Sequence, residues 1–216
     1  MSTELTPLIA AAGFTDSVRA LAAHGDVRRY RKGTILIQEG DTGDTVFILL
    51  SGRVKVYCTD PNDKEITFGL FGPGEYFGEM ALDGGQRSAS VVTQEACACA
   101  VVSRANLLAF IAQRPEFSLE LVSKVIRRLR LATRDARNLA FIGVYGRITQ
   151  CLDDLAIPQA DGTRRIQERI THLDIASRVG CSREMVSRIL KDLQSGAYLR
   201  IVERRIVLVG KLPQRW

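Results

Sequence analysis

The chain has 216 residues, of which 46% are hydrophobic and 25% are charged, and its formal net charge is +6. That length suits one large domain or two small ones, each able to bury a core. No run approaches the roughly 20 apolar residues that span a bilayer, and the N-terminal segment does not resemble a secretory signal, so we expect a cytoplasmic protein without membrane contact.

Between residues 26 and 103 the sequence alternates short β-type runs with turn-forming segments. The runs are Val46–Leu50, Val54–Tyr57, Glu65–Phe71 and Ala98–Val102. Glycine-rich and proline-rich turns such as Glu39-Gly-Asp-Thr-Gly43 and Gly72-Pro-Gly74 separate them. Short strands at regular spacing predict an antiparallel β-sandwich or barrel.

The cysteines and histidines offer no metal-binding pattern. The cysteines stand at positions 58, 97, 99, 151 and 181, without a CxxC pair. Cys97 and Cys99 would share one face of a strand, as buried structural thiols. The two histidines, His24 and His172, are too few and too scattered for a metal cluster, so no metal is expected.

The stretch Gly78-Glu-Met-Ala-Leu-Asp-Gly-Gly-Gln-Arg-Ser-Ala89 combines one acid, glycines and an Arg-Ser pair. Arg87 and Ser88 together offer a bidentate cation and a hydroxyl, which suit phosphate oxygens. The backbone after Gly78 would add N–H groups at the start of a short helix, another anion-binding feature. A carboxylate at Glu79, beside a phosphate-binding pair, has two explanations. The ligand also carries a hydroxyl that Glu79 binds, or Glu79 forms a salt bridge with Arg87.

After Pro115 the pattern becomes helical. Six apolar residues recur at alternating spacings of three and four: Val122, Val125, Leu129, Ala132, Ala136 and Leu139. This spacing is an a/d heptad seam, which predicts a two-stranded coiled coil and a symmetric dimer. An intramolecular helix is the alternative, since Leu121 and Ile126 broaden the stripe toward the β domain.

Gly143 and Gly146 are predicted to interrupt this helix before a second one from Arg147 to Ile157, followed by a loop from Pro158 to Gly162. The charge also shifts along the chain. Residues 1–115 hold 11 basic and 13 acidic side chains, a net charge of −2, whereas residues 116–216 hold 19 and 11, a net charge of +8. A basic half facing a polyanion explains this asymmetry, and a solvated helical surface is the alternative.

Residues 170–195 predict a helix-turn-helix, followed by a β pair, Tyr198–Val202 and Arg205–Val209. Thr171 is a suitable N-cap for the first helix, and Ser182 for the second. Gly180 permits the tight turn between them. The second helix buries Val186, Ile189, Leu190 and Leu193.

The other face of that second helix is suited to the DNA major groove, because arginine binds guanine edges and glutamate accepts from cytosine. A surface ion-pair network is the alternative. The predicted DNA-binding residues are Thr171, Ser182, Arg183, Glu184, Ser187, Arg188 and Lys191.

Taken in order, these features resemble the bacterial cAMP receptor protein and fumarate–nitrate regulator (CRP/FNR) superfamily of transcription factors. The resemblance covers nearly the whole chain and rests on Phe77-Gly-Glu-Met-Ala-Leu82, Arg87-Ser-Ala89, Asn138-Leu-Ala-Phe141, Gly146-Arg147-Ile148 and Gly180-Cys-Ser-Arg-Glu184 with Arg188. It implies an α+β protein with an N-terminal antiparallel β jelly-roll that binds a cyclic nucleotide (1–115), a long dimerisation helix (116–142) and a C-terminal winged helix-turn-helix domain (143–216).

The resemblance also implies roles for individual residues. Glu79 would accept the ribose 2′-hydroxyl, Arg87 and Ser88 would hold the cyclic phosphate, and Arg128 and Thr133 would reach the ligand from the long helix. Ala132 stands where the family has a second hydroxyl, and the loop from Glu79 to Arg87 is shorter than usual. The implied ligand-binding set is Gly78, Glu79, Met80, Ala81, Arg87, Ser88, Ala89, Arg128 and Thr133.

The expected function is therefore a homodimeric, cytoplasmic DNA-binding regulator controlled by cyclic AMP. Arg183, Glu184 and Arg188 match the family's base-contacting residues, which implies a palindrome of TGTGA-like half-sites and RNA polymerase as a further partner. Cyclic GMP, cyclic di-GMP and ligand-independent activity stay open, as does a nucleotide sensor that acts on a protein partner. An enzyme is not expected, because no nucleophile–base pair, metal cluster or Walker-type loop is present.

Overall fold

The computed structural model describes residues 13–62 and 64–213. The chain divides into two compact units, one comprising Met1–Thr59 and Thr67–Ile126, the other Asp60–Ile66 and Arg127–Trp216. Each has hydrophobic clusters of its own. Within the described ranges, no helix combines the length and apolarity needed to span a membrane.

The N-terminal half is built on two four-stranded antiparallel sheets. Its strands are β1 (Asp26–Tyr30), β2 (Ile35–Ile37), β3 (Thr45–Ser51), β4 (Val54–Thr59), β5 (Glu65–Phe71), β6 (Tyr76–Phe77), β7 (Ser90–Thr93) and β8 (Cys97–Ser103). The sheet orders are β1-β8-β3-β6 and β2-β7-β4-β5. The predicted antiparallel architecture is confirmed, with the two sheets of a jelly-roll.

Helices accompany these sheets. They are α1 (Asp16–Ala22), a 3₁₀ helix (Glu79–Asp83), α2 (Arg104–Gln113) and the long α3 (Glu116–Phe141). The side chain of Thr15 caps α1 and that of Ser103 caps α2, each accepting from a backbone N–H three residues ahead. Serine and threonine are favoured at such positions because they satisfy a donor that the helix leaves unpaired.

Strand β3 is continuously apolar because both of its faces are buried. Val46, Ile48 and Leu50 point into a cluster with residues of α1, α2 and the start of α3. Phe47 and Leu49 point the other way, into a cluster with residues of β2, β4 and β7. Because successive side chains alternate across a strand, a strand covered on both faces needs apolar residues at every position.

The long helix α3 packs on the first unit through one face and leaves another face exposed. Phe117 is buried against the rings of Tyr76 and Phe110, and Leu121 packs on the same core. Along the predicted seam, by contrast, Val122 is 51% exposed and Leu129 is 63% exposed. The helix is confirmed, and three large residues of its heptad seam, Val122, Leu129 and Leu139, are more than half exposed.

The second unit contains a helix-turn-helix and a small sheet. Its elements are α4 (Val144–Leu155), β9 (Ala156–Pro158), β10 (Arg164–Ile166), α5 (His172–Val179), α6 (Arg183–Ser195), β11 (Leu199–Val202) and β12 (Arg205–Leu208). The sheet order is β11-β12-β10-β9. One hydrophobic core joins these elements, and its apolar residues include Ile148, Ile175, Val186, Leu193 and Leu208.

The predicted interruption at two glycines needs correction. Gly143 is the N-cap of α4, but Gly146 lies inside the helix. A Cβ atom at Gly146 would lie 2.6 Å from the side chain of Ile142, so this glycine allows a close approach rather than a break. The helix also ends at Leu155 instead of Ile157, because Ala156–Pro158 pairs with β10, and proline is tolerated on an edge strand.

The two thiols of β8 are buried, as predicted. Cys97 and Cys99 belong to the cluster between the two sheets. Burial raises the pKa of Cys99 to about 12, which leaves its thiol protonated at neutral pH. Among the described residues, no group of three or more histidine, cysteine, aspartate or glutamate side chains is arranged to hold a metal ion.

Leu193 and Leu173 offer a matched pair for testing the core of the second unit. Leu193 is 0% exposed, whereas Leu173 is 63% exposed on α5. We expect Leu193→Ala to lower the free energy of unfolding by about 2–5 kcal/mol, through lost burial and a cavity. Leu173→Ala should change it by less than about 0.5 kcal/mol. Urea denaturation measures both, and equal losses would contradict this assignment of the core.

Candidate functional site

The first part of the site is the turn that follows β6. Gly78 has a φ of +89°, and a Cβ atom there would lie 2.8 Å from Arg87 Nη1 and 2.9 Å from the carbonyl oxygen of Thr45. Only glycine fits both the conformation and the space. The 3₁₀ helix begins directly after it, so the short helix predicted at this point is present.

Arg87 occupies the centre of this turn. Its side chain is buried, with 7% exposure. Nη1 donates to the carbonyl oxygen of Gly78 at 2.8 Å, and Nη2 donates to the carbonyl oxygen and the hydroxyl of Thr45 at 3.0 and 3.1 Å. These three acceptors engage fewer than the five N–H donors that a guanidinium carries. Arg87 is therefore fixed in place with donor capacity to spare.

The loop from Gln38 to Asp44 holds Arg87 from the opposite side. The backbone of Arg87 donates to Asp41 and accepts from Gly40, at 2.8 and 2.9 Å. A Cβ atom at Gly43 would lie 2.8 Å from Nη2, so this second glycine also makes room for the guanidinium. Neither Gly43 nor Thr45 was predicted as part of the site, although the turn chemistry of residues 39–43 marked the loop.

Charge and burial act on Arg87 in opposite directions. Burial lowers the pKa of Arg87, while the carboxylates of Asp44, Glu79 and Asp41 raise it. Burial is the larger effect, so the pKa of Arg87 is lowered overall, and the surrounding acids offset part of the cost of burying the cation. Glu79 is itself buried, and its proximity to Arg87 satisfies the electrostatic condition for either role predicted for it, as ribose acceptor or as ion-pair partner.

The remaining residues of the predicted pocket differ in exposure. Ser88 is exposed, and its hydroxyl donates to the sulfur of Met80 at 3.2 Å. Ala89 is half-buried, and Ala81 lies in the 3₁₀ helix. The structure therefore brings Gly78 and Met80 into contact with Arg87 and Ser88. Arg128, half-buried, and Thr133, exposed, belong to the second unit, and their ligand contacts stay a prediction.

The second part of the site is the helix-turn-helix, whose predicted caps are confirmed. Thr171 accepts from the backbone of Asp174 and Asp174 accepts from that of Thr171, a complete capping box. Ser182 accepts from the backbone of Met185 at the start of α6. Gly180 has a φ of +68° and ends α5 in the left-handed conformation.

The outer face of α6 carries the predicted DNA-binding side chains. Arg183, Glu184, Arg188 and Lys191 are exposed, and Val186, Ile189, Leu190 and Leu193 are buried on the opposite face, as predicted. Arg188 donates through Nη2 to the sulfur of Met185 at 2.9 Å. The exposed face thus presents three cations and one carboxylate along successive turns.

Two contacts in this part of the site were not predicted: the partner of Ser187, and an ion pair at the wing, which is the hairpin of β11 and β12. Ser187 is half-buried, and its hydroxyl lies 2.7 Å from Nδ1 of His172 on α5. The β11–β12 turn places Glu203 and Arg204 at φ values of 52° and 61°, as a two-residue hairpin requires. Arg165 forms a 2.9 Å ion pair with Glu203, which ties this wing to β10.

Two sequence families match the two parts of this site. Residues 27–114 match the family described as "Cyclic nucleotide-binding domain", and residues 146–211 match the "Crp-like helix-turn-helix domain". The cAMP-activated global transcriptional regulator CRP of Haemophilus influenzae is 36% identical over 194 residues, covering 87% of this chain and 85% of the relative. The chain belongs to the CRP/FNR superfamily. It is a transcription regulator with a cyclic nucleotide-binding domain and a DNA-binding helix-turn-helix.

Further CRP/FNR relatives support the same assignment. The cAMP-activated global transcriptional regulator Vfr of Pseudomonas aeruginosa is 34% identical over 200 residues, which cover 88% of this chain and 92% of Vfr. The solved structure of the c-di-GMP responsive regulator CLP of Xanthomonas campestris aligns with a TM-score of 0.78 at 30% identity, covering 90% of this chain and 98% of CLP.

Arg87 and Ser88 are adjacent but differ in burial, which makes a stability test possible. Arg87→Met would leave the carbonyl oxygens of Gly78 and Thr45 without their donor. We expect a loss of about 1–3 kcal/mol in the free energy of unfolding. Ser88→Ala should change it by less than about 0.5 kcal/mol. Chemical denaturation, followed through the unfolding transition of the first unit, measures both changes. An Arg87→Met protein as stable as wild type would contradict the geometry.

Proposed function

We propose that this protein is a homodimeric regulator whose DNA binding is controlled by a cyclic nucleotide, with cyclic AMP as the effector. The observation that carries the proposal is the buried guanidinium of Arg87, held by backbone carbonyls beside the buried carboxylate of Glu79. A 3′,5′-cyclic nucleotide presents an anionic phosphate and a free 2′-hydroxyl close together. The site offers a cation for one and a carboxylate acceptor for the other.

Each ligand group has a partner of suitable chemistry. Arg87 has N–H donors left for the phosphate oxygens, and the exposed hydroxyl of Ser88 supplies one more. Glu79 accepts from the ribose 2′-hydroxyl. Because the guanidinium is already ordered by Gly78 and Thr45, little side-chain entropy is lost when the ligand binds. Arg128 and Thr133 are proposed to contact the ligand from α3.

Cyclic AMP is the first choice because the curated relatives in Haemophilus influenzae and Pseudomonas aeruginosa are cAMP-activated. Cyclic di-GMP is the second candidate, since CLP of Xanthomonas campestris responds to it and aligns over nearly its whole length. Both ligands carry phosphate, so both would use Arg87. The two ligands differ in size and in the number of bases, whereas Arg87 and Glu79 are proposed to contact only phosphate and ribose.

Gly43 provides a test of the pocket that leaves Arg87 itself unchanged. In Gly43→Ala the new Cβ would lie 2.8 Å from Nη2 of Arg87, so the guanidinium must shift from its present position. We expect the Kd for cyclic AMP to rise at least about tenfold, the cost of one charge-assisted hydrogen bond. Isothermal titration calorimetry measures it, with cyclic GMP and cyclic di-GMP titrated in parallel.

Gly72→Ala is the matched control, because a Cβ atom there meets no atom within 4 Å. Its Kd should equal that of wild type. If Gly43→Ala also bound the nucleotide normally, the placement of the phosphate on Arg87 would be wrong. If wild type bound cyclic di-GMP but not cyclic AMP, the second effector would replace the first.

The DNA-binding surface is proposed to enter the major groove through α6. Arg183 and Arg188 bind guanine O6 and N7, and Glu184 accepts from cytosine N4, within TGTGA-like half-sites arranged as an inverted repeat. Thr171, Ser182 and Lys191 lie at the edges of this surface, where contacts to phosphates are expected. Phosphate contacts fix the orientation, and the base contacts give the specificity.

The dimer is proposed to form along the exposed seam of α3. Val122, Val125, Leu129 and Leu139 are large apolar residues with between 43% and 63% of their surface exposed. Pairing two such helices buries the seam and gives the two-fold symmetry that a palindromic site requires. Ligand binding would then favour the arrangement in which the two α6 helices stand one turn of DNA apart, about 34 Å.

One further partner, a location and one exclusion complete the proposal. RNA polymerase is the expected protein partner, and the cytoplasm the expected location. The relatives are transcriptional regulators, which suggests that the chain is not an enzyme. A sensor that controls a protein partner in place of DNA is the competing function, and a DNA titration separates the two.

Arg183 and Glu184 test the DNA surface directly. Fluorescence anisotropy with a TGTGA palindrome and with scrambled DNA, at two salt concentrations, should show tight and salt-sensitive binding to the palindrome. Arg183→Ala and Glu184→Ala should each reduce the discrimination by about 1–3 kcal/mol at one base-pair position. Equal binding of wild type to both DNA molecules would favour the protein-partner function.

A further inference from the structure

Ser187 lies in the middle of the DNA-binding face of α6. At 3.6 residues per turn it projects ~40° from Arg183 and ~60° from Glu184. It follows Arg183 by four residues and Glu184 by three, so it neighbours both along the helix surface. A side chain at this position is placed to contact DNA, unless its hydroxyl is used elsewhere.

The hydroxyl of Ser187 is used by His172. The two side chains meet at 2.7 Å, between Oγ and Nδ1, a short distance for a hydrogen bond between neutral groups. His172 is the first residue of α5 and directly follows the Thr171 cap. The contact therefore brings a histidine of the first helix to Ser187 on the second helix.

The other ring nitrogen of His172 is available. Across the described ranges, no hydrogen bond of Nε2 accompanies the one at Nδ1, and the side chain is half-buried. In a neutral imidazole, the group bonded to one nitrogen decides where the proton sits. When the hydroxyl of Ser187 donates to Nδ1, Nε2 carries the hydrogen and becomes a donor.

We infer that His172 is a DNA-contacting residue whose Nε2–H donates to a phosphate oxygen at the edge of the half-site, and that Ser187 is the positioning residue which holds the ring. This inference rests on the proposed DNA-binding function. Phosphate oxygens only accept hydrogen bonds, so the approach of DNA favours the tautomer with hydrogen on Nε2. The first helix of a helix-turn-helix crosses the DNA backbone, where such a contact is expected.

Asparagine and glutamine substitutions at position 172 test the two ring nitrogens separately. The amide of His172→Asn takes the place of Nδ1 and keeps the bond to Ser187, but it is too short to replace Nε2. The amide of His172→Gln reaches the position of Nε2. We expect His172→Asn to weaken binding about 3- to 10-fold on palindromic and scrambled DNA alike. His172→Gln keeps a donor for the phosphate but loses the bond to Ser187, so it should weaken binding less than His172→Asn and about as much as Ser187→Ala.

Ethylation interference with the full-length protein supplies a readout that a purely structural role would not change. In wild type, ethylation of one particular phosphate per half-site should block binding, and this effect should disappear in His172→Asn. Ser187→Ala should weaken binding without altering base preference, and adding it to His172→Asn should cost little more, because both act on one contact.

Two results would overturn the inference while leaving DNA binding intact. One is a His172→Asn protein with wild-type affinity and ethylation pattern. The other is a Ser187→Ala protein that loses discrimination at one base pair while His172→Asn keeps it, since Ser187 would then contact a base directly. A wild-type protein that binds neither DNA would overturn the proposed function itself, and this inference with it.

Discussion

The sensor unit depends on the burial of one cation. A guanidinium removed from water is costly unless hydrogen bonds and opposite charges compensate, and Arg87 receives both, from the carbonyls of Gly78 and Thr45 and from nearby carboxylates. Gly43 and Gly78 leave space where a Cβ atom would collide with it. The β-roll, its turns and its glycines together hold a positive charge ready for an anion, which is the property that a phosphate ligand requires.

The second unit meets a different constraint, because its functional side chains must stay in solvent. Arg183, Glu184 and Arg188 are held in place by the opposite, buried face of α6 and by the caps at Thr171 and Ser182. The rigid helix pair positions long, exposed side chains without burying them. The wing is also tied to the rest of the unit, because Arg165 on β10 pairs with Glu203 at the tip of the β11–β12 hairpin.

Much of this could be predicted from the sequence, because the informative patterns are local. Caps, turn glycines and the 3–4 spacing of apolar residues act over a few positions, and they identified α3, α5 and α6 correctly. Contacts between distant residues were not predictable in this way. Apart from Gly78, the partners of Arg87 come from residues 40–45, and the partner of Ser187 is His172. Gly146 was placed wrongly because glycine serves close packing as well as helix breaks.

We propose that nucleotide and DNA bind to the same conformational state and so act on one equilibrium. Linkage then requires reciprocity: if cyclic AMP strengthens operator binding by some factor, the operator must strengthen cyclic AMP binding by the same factor, typically about 5- to 150-fold. Calorimetric titration of cyclic AMP into the free protein and into the protein saturated with a TGTGA palindrome measures this directly. We predict that the Kd for cyclic AMP is lower in the DNA complex by the same factor. An unchanged Kd would show that the two sites are not coupled.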